Sequence, residues 1–130
     1  TLCRDGRRAM QIGIAQVGSD KPLAGIGTAI GRFAQSRGYS LIRNLASHGV
    51  GRALHEYPEE VATWPTRGDK RRMPRGLVLT VEPFLSKGGV WAAEGQDGWT
   101  LYSQPAAPVV QYEHTVVATD RGAIIVTLPG

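Results

Sequence analysis

The sequence predicts an α+β fold, with two N-terminal helices packed on a largely antiparallel sheet. Three observations carry that prediction. Helical periodicity is confined to roughly the first third of the chain, where apolar residues recur every three or four positions. Several short β-prone runs with brief returns follow, two of them joined by Thr119-Asp120-Arg121-Gly122, a strong hairpin turn signal. Gly (17) and Pro (8) are frequent for 130 residues, which favours turns and short strands over a helical bundle. Helices followed by strands, rather than alternating with them, argue α+β. The length suits a single domain, and 42% hydrophobic with 20% charged residues permit a packed core.

Met10, Gly13, Ile14 and Val17 share one face of the first helix. Arg4, Arg7 and Arg8 crowd its early part, the unfavourable end for cations if the helix starts at Thr1. The chain is therefore expected to be cut from a longer one. Gly18-Ser19-Asp20-Lys21-Pro22 reads as a stop and a new start. The second helix, about residues 22–37, carries the apolar stripe Leu23, Ile26, Ile30, Phe33 and Ala34, with Gly38 placed for a left-handed cap. The glycines at 25, 27 and 31 do not make a dinucleotide loop, because their spacing is wrong and they fall inside the helix. Close helix packing accounts for them. Extended segments are expected at 39–43 and 49–54, an apolar strand at 77–81 closed by Glu82-Pro83, and a short amphipathic strand at 98–102. Segments 112–118 and 123–128 flank the hairpin turn. There is no internal repeat and no low-complexity tract.

Charge and cysteine content remove several function classes. The net charge is +4, and the one basic cluster, Arg67, Lys70, Arg71, Arg72 and Arg75, lies in a loop punctuated by Pro and Gly. That pattern reads as a solvated loop, and no specific nucleic-acid partner is expected. Arg67-Gly68-Asp69 reads as turn chemistry. Cys3 is the single cysteine, so neither an internal disulfide nor a thiolate zinc cage can form. No apolar run approaches the roughly 18 residues of a membrane span, and no membrane partner is expected.

Three polar residues stand where folding alone would not put them. His48 lies in Ser47-His48-Gly49-Val50-Gly51, Glu82 ends the most apolar strand, and Glu113 sits in the strand-like Gln111-Tyr112-Glu113-His114-Thr115. Each has an ordinary reading by itself: a loop histidine bonded to backbone, a carboxylate emerging past a strand end, or a solvent face shared with Gln111 and Thr115. Together, an imidazole and two carboxylates suit a divalent ion such as Mn, Fe, Co or Zn. His55-Glu56-Tyr57-Pro58-Glu59 is not a zincin helix, since position 59 is Glu and Pro58 breaks a helix. Composition and periodicity stop at a metal site.

The segments in register go further. Residues 47–58, 79–83, 97–100 and 111–115 closely resemble, in order and spacing, the C-terminal half of a methionine aminopeptidase, over nearly the whole chain. The interval from His48 to Glu82 is too short for the insertion of the family's second type, so the resemblance is to type I. The broader pita-bread group, with Xaa-Pro aminopeptidases and prolidases, matches the flanks less well.

The resemblance implies a C-terminal half of a pita-bread fold and a metalloaminopeptidase, a cytoplasmic hydrolase that removes the initiator methionine. His48, Glu82 and Glu113 are implied metal ligands for two divalent ions (Co, Mn, Fe or Zn), with Glu82 also handling the proton of the attacking water. His55 is implied at the scissile peptide group, Leu54 and Trp99 at the methionine pocket, and His114 as a support for Glu113. The implied partners are the N-terminal methionine of nascent peptides, with the ribosome as setting, and the other half of the same fold. The family usually has Gly where this chain has Ser47. Its two aspartate ligands and a further histidine precede the matched half, and Asp5 and Asp20 do not replace them. Residues 1–130 are thus expected to be one incomplete catalytic domain, weakly active or inactive alone. The competing expectations are a catalytically silent peptide-binding module and an Xaa-Pro peptidase.

Overall fold

The computed structural model describes residues 1–129. Helix α1 (Leu2–Ile14) turns Asp5, Ala9, Met10, Gly13 and Ile14 inward, a stripe at helical spacing. Val17 is fully buried but belongs to the turn beyond the helix. Helix α2 (Ala24–Ser36) starts two residues later than expected and buries Ile26, Ile30 and Ala34. Gly38 takes φ +73°, and the bonds Gly38 N to Gln35 O and Tyr39 N to Ala34 O close the helix as a left-handed glycine cap does. The helix glycines allow close approach. A Cβ on Gly27 would meet the Trp64 carbonyl oxygen at 2.2 Å, and one on Gly31 would meet Pro65 at 2.3 Å.

Ten short strands follow. β1 (Ser40–Leu41), β5 (Phe84–Ser86) and β8 (Val109–Gln111) form one antiparallel sheet with β5 central. A five-stranded sheet runs β10 (Gly122–Ile125), β9 (His114–Thr119), β4 (Val78–Val81), β2 (Ser47–Gly49), β3 (Glu56–Val61), every pairing antiparallel. β6 (Trp91–Glu94) and β7 (Leu101–Gln104) make a separate hairpin. Leu79 and Val81 of β4, Leu85 of β5, and Val116 and Ala118 of β9 meet Ile26 and Ile30 of α2 in one core.

The differences from expectation are local. Residues 51–55 are bends rather than an extended segment, tied down by Gly51 N to Ala53 O and by Ala53 N to the Glu56 carboxylate. β3 forms despite Pro58 because it is an edge strand, where a missing N–H need not break a ladder. The strand expected at 98–102 begins only at Leu101, since Asp97 Oδ1 accepts the Trp99 and Thr100 amides and holds a turn. The run expected at 112–118 is interrupted, leaving Tyr112 and Glu113 between β8 and β9.

Candidate metal centre

The centre grows from a seam in the large sheet. β2 lies between β3 and β4, and its register against β3 jumps between Ser47 and Gly49, so His48 sits at an irregularity. Ser47 and Thr80 are almost wholly buried and His48 is buried beside them. Nδ1 of His48 is 2.8 Å from its neighbour's carbonyl, Gly49 O. A carbonyl only accepts, which assigns a ring proton to Nδ1, so that in the neutral ring the lone pair is on Nε2. That lone pair faces Glu82 Oε1 at 3.2 Å.

An ionised carboxylate is also only an acceptor. Two acceptors at this distance need a proton or a cation between them, and imidazole with carboxylate is a donor set that suits a divalent metal. Burial raises the Glu82 carboxyl above its ordinary range. The Thr80 hydroxyl, bonded to Oε1 at 2.8 Å, pulls the other way, while the charge of Glu113 adds to the rise and the two histidines oppose it. Gln111 reaches from the end of β8 to both carboxylates, with Nε2 3.5 Å from Glu82 Oε2 and 3.2 Å from Glu113 Oε2. Among the described residues no three His, Cys, Asp or Glu side chains converge tightly enough to enclose an ion. His48 and Glu82 offer their lone pairs to one point, and Glu113 stands one amide away.

The pattern of "Metallopeptidase family M24" matches residues 1–120. The chain belongs to metallopeptidase family M24. It is 36% identical over 126 residues to methionine aminopeptidase 2 of Bacillus subtilis, covering 97% of this chain and 51% of that protein. Among solved structures, the methionine aminopeptidase of Rickettsia prowazekii superposes with a TM-score of 0.90 at 32% identity, over 98% of this chain and 51% of that one. The Thermotoga maritima enzyme gives 0.91 at 30% identity with the same coverages. The fold is accordingly about half of the pita-bread fold, and the chain spans about half the length of the curated relatives it matches.

Other residues singled out in this M24 sequence are placed as follows. The His55 ring stacks on His48, centroids 3.9 Å apart and planes tilted by 30°. A cleft of about 310 Å³ beside them is lined by Asn44, Leu45, Ala46, His48, His55, Glu59, Glu60, Glu82 and Phe84. Leu54 and Trp99 do not border it. Leu54 is 73% exposed in the bend before β3, and Trp99 is 81% exposed at the tip of the β6–β7 hairpin. His114 turns Nδ1 to Thr127 Oγ1 at 2.7 Å rather than to Glu113, because β9 carries it back alongside the segment after β10.

Sequence reasoning missed Thr80 and Gln111, both within hydrogen-bond reach of Glu82. A lone hydroxyl in the apolar run Leu77–Val81, two residues before Glu82, was the available signal for the first. In the basic cluster of the M24 chain, Arg71 forks onto Asp69 at 2.8 Å and Arg72 bonds Asp20 O. Arg75 pairs with Asp120 at 2.9 Å. These three cations are engaged within the fold, in keeping with the loop reading.

Proposed function

We propose that this chain carries the His48, Glu82 and Glu113 side of the active site of a metal-dependent aminopeptidase that removes N-terminal methionine. Support comes chiefly from the approach of His48 Nε2 to Glu82 Oε1, a contact that a shared proton satisfies and that a divalent ion would satisfy in its place. Family membership and relatives named methionine aminopeptidase at 34–36% identity point the same way. His48, Glu82 and Glu113 would hold divalent ions, two in the completed fold, which when bound polarise the scissile carbonyl and acidify water.

The chain's own groups do the rest. Glu82 has an elevated proton affinity through burial, which suits it to take the attacking water's proton and return it to the leaving amine. His55, held by its stack on His48, faces the cleft and would donate to the developing oxyanion. Leu54 and Trp99 are offered as walls of the methionine pocket, closed from the other side by the half of the fold that relatives carry. His114 would steady the strand end that presents Glu113. Residues 1–130 then form one incomplete catalytic domain, needing that counterpart for turnover. Its substrates would be peptides beginning with methionine, nascent chains at the cytoplasmic ribosome among them.

The test is release of methionine from Met-Ala-Ser by the chain completed with the counterpart half. Glu82→Gln should lower kcat by about 10²-fold or more with little change in KM. Unchanged hydrolysis would sink the reading, and preferential cleavage of Ala-Pro would move the chain to the Xaa-Pro peptidases.

A further inference from the structure

The ladder between β2 and β4 is regular on one side of the site and opens at it. Gly49 lies opposite Leu79, and Val50 N donates to Val78 O. In an antiparallel pair the next such bonds would run from His48 N to Thr80 O, and from Glu82 N to Ala46 O. Neither is made. The His48 amide donates to the Thr80 hydroxyl at 3.1 Å, and the Glu82 amide donates to the Ser47 hydroxyl at 3.1 Å. Thr80 Oγ1 donates to Glu82 Oε1 at 2.8 Å, with His48 O a more distant acceptor at 3.4 Å. Two side-chain hydroxyls thus accept the two amides where the paired register ends. They reach further than a carbonyl on the facing strand, so the backbones can separate without orphaning an amide.

Ser47 and Thr80 are 0% and 2% exposed. A hydroxyl so placed is costly unless bonded. We propose that Ser47 and Thr80 are positioning residues, a pair of hydroxyl clips across β2 and β4 that fix the separation of His48 Nε2 and Glu82 Oε1. Ser47 holds the backbone from which Glu82 springs; Thr80 holds the His48 backbone and one Glu82 oxygen. The proposal rests on the reading of His48 and Glu82 as metal ligands only for its consequence, which is ion affinity.

The test uses the whole chain and the variants Ser47→Ala, Thr80→Val and Thr80→Ser, with folding checked by circular dichroism. In metal-free NMR spectra, Ser47→Ala should speed Glu82 amide exchange at least about 10-fold and shift the His48 ring signals, with Leu79 unchanged. Thr80→Val should shift the same ring signals, and Thr80→Ser should restore them. Calorimetric titration with Mn²⁺ should show binding about 10- to 100-fold weaker in Ser47→Ala and Thr80→Val than in the parent or Thr80→Ser. Parental amide exchange and ring signals in a folded Ser47→Ala would overturn the proposal. If that variant does not fold, parental ring signals in Thr80→Val would do so. Mn²⁺ binding that survives His48→Ala removes the ligand reading alone, and the metal-free spectra still decide the clips.

Discussion

A carboxylate on the inner face of a helix must be answered by its neighbours. Asp5 is 4% exposed, and the Tyr39 hydroxyl donates to its Oδ2 at 2.7 Å. That bond, more than the charges of Arg37 and Arg4, holds the carboxyl below the ordinary aspartate range, against the opposing effect of burial. The folded chain therefore binds this proton less tightly than the unfolded one. The resulting stability is complete above the ordinary aspartate range and fades as pH falls through it toward the lower native value. Urea unfolding at about pH 6 and about pH 3 should show a larger loss for the parent than for Tyr39→Phe. At this scale the sequence displays charge well and hydroxyls poorly. His48, Glu82 and Glu113 could be picked out because ionisable groups in strand-like or Gly-flanked contexts need an explanation. Ser47, Thr80 and Gln111 could not, since a Ser, Thr or Gln in a strand is ordinary until its partner is known.

The glycines of α2 are not equivalent, and substitution separates them. A Cβ on Gly27 would fall 2.2 Å from one backbone carbonyl oxygen and 2.8 Å from another, neither able to yield without moving the 62–65 segment. Gly27→Ala should cost about 1–3 kcal/mol or more in denaturant unfolding. Gly25 has nothing nearer than the Gln16 side chain at 4.0 Å. Gly25→Ala should be neutral or stabilise by up to about 1 kcal/mol, since glycine is a poor helix residue. Both helices were legible because an apolar stripe and a Gly cap are local signals. β3 was not, because Pro58 argues against a strand unless the strand is known to lie at an edge. The break between β8 and β9 was equally hidden, since Tyr112 and Glu113 have the composition of the strands they separate.

Over the whole molecule, only the folded chain brings His48 to Glu82, so an ion held as proposed should raise stability. Mn²⁺ at about 100 times its Kd should add roughly 2.7 kcal/mol to unfolding, and His48→Ala should abolish the gain. Chemical unfolding with and without the ion measures it. The exposed Arg75–Asp120 pair tethers the basic loop to the β9–β10 turn, and Arg75→Ala should cost no more than about 1 kcal/mol. Strand order and the juxtaposition of residues 47–49 with 78–82 and 111–113 depend on long-range pairing. Periodicity cannot supply that, whereas four segments in register with a known family do.

The hydroxyl-served end of the β2–β4 ladder also bears on how such a sequence would drift. Ending that ladder on buried hydroxyls and a half-buried acid sacrifices ladder bonds and apolar contact. A copy free of the proposed ion-binding role would gain stability with aliphatic residues at 80 and 82. The hydroxyl at 80, beside the imidazole and the carboxylate, is what such a copy would be expected to lose first.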